Sequence, residues 1–172
     1  MHHQTDKIRT LAISALLVAV MLVLGYIESL IPAGPVPGIK LGLSNSVLLL
    51  AVMWLGIPAA FILMLCKVIL SGLLFAGFSA TMFSLTGGAV SMLVMAVLYK
   101  LRFNTVVTGM AGAVAHNAGQ VGLAMLMLQT EQLVYYMAIL IVVGLITGFI
   151  TGTIAQILDS RIPENLKVNN KK

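Results

Sequence analysis

Residues 111–126 read AGAVAHNAGQVGLAML. His116, Asn117 and Gln120 sit inside a run otherwise made of Ala, Gly, Val, Leu and Met. What these three residues do depends on the solvent around them, and composition identifies that solvent. Of 172 residues, 60% are hydrophobic and 9% are charged, with a mean hydropathy of +1.07. A soluble domain of this length needs far more charge to cover its surface. The stretch therefore belongs to an all-α integral membrane protein.

Crossing the hydrocarbon takes about 20 apolar residues. Working outward from the quoted stretch, hydropathy predicts a six-helix transmembrane bundle. The spans fall at about 11–27, 41–55, 58–75, 87–99, 105–128 and 133–158. Charge placement tests the count independently. Lys7 and Arg9 precede the first span, Lys100 and Arg102 separate the fourth from the fifth, and Arg161, Lys167, Lys171 and Lys172 follow the sixth. Six spans put all three groups on one side, so eight of the ten Lys and Arg residues and both termini are expected in the cytoplasm. The formal net charge of +5 is thus explained by orientation, and no nucleic-acid partner is expected.

The chain reads as one membrane domain over 1–160 with a polar basic tail over 161–172. The first apolar run is longer than a signal-peptide core and is read as a retained helix. His2 and His3 are given no role. Cys66 is alone, so it forms no internal disulfide and is expected to be a small buried hydrophobe. The outer loop SLIPAGPVPGIK, 29–40, is too rich in Pro and Gly to continue a helix. It is either a short connection or a structured, partly re-entrant cap. The second outer loop, AGFSATMFSLTGG at 76–88, is polar only through Ser and Thr and is placed in the interface or folded over the helix ends.

Lipid tails give helices no hydrophobic reason to associate, so small residues mark the contacts. Gly144, Gly148 and Gly152 recur every four residues and form a packing ridge. Ala15 and Ala19 form a similar step on the first helix, open to the bundle or to a partner.

A rise of about 1.5 Å per residue puts Lys67 roughly 13 Å into the bilayer from the cytoplasm, His116 about 18 Å and Gln120 about 24 Å. Asn45 then lies about 7 Å below the outer surface, and Glu28 stands at the outer mouth of the first helix. These residues share one band between midplane and exterior. His116 and Gln120, four apart, share a helix face, and Ser71 lies one turn above Lys67. Gly109, Gly112 and Gly119 beside that face admit a ligand or a backbone closely. Asn117 points about 100° away, toward a neighbouring helix. An unpaired ammonium at the membrane centre costs at least about 2.5–3.5 kcal/mol. Lys67 therefore needs a carboxylate, a helix carbonyl, a wet cavity or an anionic ligand.

No glycine-rich phosphate loop, Cys/His metal set or Ser-His-Asp pattern is present, so no metal, cofactor or catalytic residue is expected. Prenyl diphosphate synthesis needs clustered aspartates to hold magnesium, and the two aspartates, Asp6 and Asp159, lie near the two ends of the chain.

The segments GPVPGIKLGLSNSVLLLAVMWLG and AGAVAHNAGQ, with Ala15 and Ala19 and the Gly/Pro-rich first loop, resemble the Gx transporter family. That family is often labelled heptaprenyl diphosphate synthase component I and is similar to the S components of energy-coupling factor transporters. The resemblance implies a bacterial plasma-membrane subunit that captures a small molecule from outside. Ala15 and Ala19 would then meet a membrane coupling subunit served by two cytoplasmic ATPases. Glu28, Lys40, Asn45, Lys67, Ser71, His116, Asn117 and Gln120 are the candidate ligand contacts, closed over by the loop from Ile31 to Lys40. The alternative expectation is a membrane component of heptaprenyl diphosphate synthase or of quinone or isoprenoid biosynthesis.

Overall fold

In lipid, backbone N–H and C=O groups have only one another to bond, so long apolar runs become helices. The computed structural model describes residues 2–31, 42–163 and 167, with side chains from residue 7 onward. It places among them α1 (His2–Ser29), α2 (Asn45–Leu55), α3 (Ile57–Ser71), α4 (Gly77–Lys100), α5 (Thr105–Leu128) and α6 (Leu133–Arg161). A π-helical turn, Gly72–Ala76, joins α3 to α4. No strand occurs among the described residues. The stretches Lys7–Ser29, Ile57–Lys100 and Leu133–Arg161 are long and apolar enough to cross a membrane. The chain is an all-helical membrane protein.

The largest departure from the sequence reading is α4. It begins at Gly77 rather than near residue 87, so the expected loop at 76–88 is almost wholly helix. Its hydroxyls do not oppose the helix. Thr81 Oγ1 donates to the Gly77 carbonyl at 2.7 Å, and Thr86 Oγ1 to the Met82 carbonyl at 3.1 Å. A Thr bonded one turn back is hidden from lipid and leaves the helix intact. The chain reverses instead at Gly77, whose φ of 77° is open to glycine and strained for other residues. Past this turn α4 folds back along α3, bringing Thr81 against Gly72 and Gly88 against Met64.

Close backbone contact builds the second half of the bundle. Along the antiparallel α5–α6 pair, Gly109 meets Gly152, Met110 meets Gly148 and Val114 meets Gly144. The ridge read from the sequence is this contact. On its other side α5 meets α4, with Gly119 on Gly87 and Gly112 on Met95. The glycines beside the polar stripe therefore admit neighbouring helices. The first half closes on Met21, Leu48, Leu49, Val52 and Val68, all buried.

Cys66 is exposed, contrary to expectation. It lies one residue before the buried Lys67 and points outward. In a bilayer the outside of a helix bundle is itself apolar, so a small hydrophobe is stable on either face.

At the α2 and α6 ends, Trp54 Nε1 donates to Asp159 Oδ1 at 2.8 Å, and Lys167 Nζ stands 3.0 Å from the same oxygen. The rest of the tail, 164–166 and 168–172, lies outside the described residues.

Candidate functional site

The polar band assembles at the opposite end of α2. Gly42 turns the chain with a φ of 84° and brings its backbone against the His116 ring. Glu28, 3% exposed near the end of α1, accepts a hydrogen bond from the Leu43 N–H at 2.9 Å. This carboxylate anchors the segment that enters α2. The next two residues, Ser44 and Asn45, then face the interior and are buried.

Lys67 reaches this point from α3. It is 5% exposed, and its Nζ donates to Ser44 Oγ at 2.8 Å. Its Cε lies close to Gly25 of α1. His116 arrives from α5, held between Gly42 on one side and Gly87 of α4 on the other. Its Nε2 lies 3.0 Å from Gln120 Nε2.

Met21, Ser44, Asn45, Lys67, Ser84 and His116 border one small cavity. Its volume, about 10 Å³, is room for about one water. Asn45 Nδ2 and Ser84 Oγ are buried and have no hydrogen-bond partner among the described residues. Ser91 Oγ and Asn117 Oδ1, whose residues do not line the cavity, likewise lack a partner among the described residues.

A family model described as heptaprenyl diphosphate synthase component I matches residues 17–158. The chain belongs to this family. Neither a curated protein nor a solved structure gives a match.

The matched part of the chain contains every cavity residue named above. Of the residues predicted from sequence, Asn45, Lys67 and His116 come together on the cavity. Gln120 is fully buried behind His116, and Glu28 stands one step removed, holding Leu43. Ser71 is turned to its own helix, donating to the Val68 carbonyl at 3.0 Å. Asn117 reaches α6, as its angle predicts: Nδ2 donates to the Leu140 carbonyl at 2.8 Å. Lys40 and the loop over 32–41 lie outside the described residues. Ala15 and Ala19 are exposed on α1, beside Leu16 and Val20.

Ser44 and Ser84 were not legible as site residues. Ser44 had a weak signal, its place beside Asn45 in the segment LSNS. Ser84 had none, because it falls in the stretch read as a loop.

Proposed function

We propose that this chain is a substrate-capturing membrane subunit, similar to an S component, of an energy-coupling factor uptake transporter. In this reading residues 1–160 form one domain, all six helices cross the bacterial plasma membrane, and both termini are cytoplasmic. The antiparallel pairings of α3 with α4, α4 with α5 and α5 with α6 support the alternation.

The observation that carries the reading is the cavity. Lys67 and His116 share it with two buried polar atoms that lack partners among the described residues. A small anionic or strongly hydrogen-bonding solute would give those two atoms partners beside Lys67 and His116. At about 10 Å³ the space is closed to anything larger than water, so capture requires the helices around it to part. Asn117, Gln120, Glu28 and Ser71 would hold the wall. Exposed Ala15 and Ala19 would meet the coupling subunit, which two ATPases energise.

Native mass spectrometry of the gently extracted protein should reveal a copurified small molecule. Lys67→Met should weaken its retention by at least tenfold, the scale of a hydrogen bond to a charged group, with helical content retained. Unchanged retention would leave a structural membrane protein without a ligand.

The family's description favours a second reading, a membrane component of heptaprenyl diphosphate synthase. Chain elongation by the purified protein from an allylic diphosphate and magnesium, without a second polypeptide, would establish it.

A further inference from the structure

A second concavity, lined by other residues than the polar cavity, lies on the α3–α4 hairpin. It is a groove of about 490 Å³, walled by Pro58 and Phe61 of α3 and by Leu93 of α4. Ala89, Met92 and Ala96 line it along α4, and the lining ends at Lys100. Ala89, Ala96 and Lys100 follow helical spacing, so one face of α4 runs from a smooth apolar trough to an ammonium. Lys100 is exposed, as is Arg102 just beyond it.

We propose that this groove binds one acyl chain of an anionic phospholipid, with the lipid phosphate held at Lys100. Three features select this occupant. Every lining residue but Lys100 is apolar, so the occupant is apolar over most of its length. From Ala89 to Lys100 the trough runs about 16 Å, matching one leaflet, roughly half of a 30 Å hydrocarbon core. A partner helix crosses both leaflets and has no use for a cation at one end. A basic residue at the interfacial end of a groove between helices complements a lipid headgroup.

The test is native mass spectrometry of the full chain, titrated with phosphatidylglycerol or with phosphatidylcholine of the same acyl chains. One phosphatidylglycerol should be retained about fivefold better than phosphatidylcholine, the effect of a single lysine near an anionic surface. Lys100→Gln should abolish that preference and Lys100→Arg should keep it. Both changes fall at an exposed helix end, so they decide the matter even if a bulkier variant fails to fold. Ala96→Phe, which fills the trough, should reduce retention of both lipids. Equal retention of the two lipids by the unaltered protein would overturn the proposal. So would a preference insensitive to Lys100→Gln, a doubled mass in place of a lipid adduct, or stronger retention of a polyprenyl diphosphate than of phosphatidylglycerol.

Discussion

Lys67 shows how one residue can set the demands on its neighbours. Its ammonium is buried, and Ser44 Oγ is a hydrogen-bond acceptor for it at 2.8 Å. Ser44→Ala should therefore lower stability by about 1–3 kcal/mol, because an acceptor of a buried charge is lost. Lys67→Met combined with Ser44→Ala should lose less than the sum of the single changes, with a coupling above about 0.5 kcal/mol in detergent thermal unfolding. Strict additivity would mean that the two side chains do not act together. Lys67, His116 and Asn45 were legible from sequence because such groups are costly in lipid and need a reason to be there. Serine gives no such warning. Its hydroxyl commonly bonds its own helix, as Ser71 does, so the sequence favoured Ser71, one turn above Lys67, over Ser84, whose hydroxyl lacks a partner among the described residues.

At the scale of elements, the contacts of α5 are set by what a glycine leaves out. A Cβ on Gly148 would stand 2.5 Å from Met110 Cα, backbone that cannot move aside without parting the helices. A Cβ on Gly122 would meet nothing within 4 Å. Gly148→Ala should destabilise by about 1–3 kcal/mol, whereas Gly122→Ala should be neutral or stabilise by up to about 1 kcal/mol. Equal effects in thermal unfolding would refute the α5–α6 contact. The sequence revealed the Gly144–Gly152 ridge because its period matches a helix face. It concealed the start of α4, since Thr and Gly in GFSATMFSLTGG read as loop while the hydroxyls were bonded within the helix.

Across the whole molecule, α5 is the exception among the longer helices. Its 24 residues carry His116, Asn117 and Gln120 in the middle, all three buried. It is also the helix clasped by glycine contacts from both α4 and α6. Its entry into lipid thus depends on the order of synthesis. A nascent chain that has exposed α5 but not α6 offers the insertion machinery a segment with its Asn117 amide unmatched, since the acceptor, the Leu140 carbonyl, has yet to emerge. The two helices should therefore integrate as a hairpin. With a glycosylation acceptor placed after Thr130, a chain truncated before α6 should leave α5 outside the bilayer, and restoring α6 should draw it in. Efficient integration of the truncated chain would show that the polar side chains of α5 are tolerated before their partners exist.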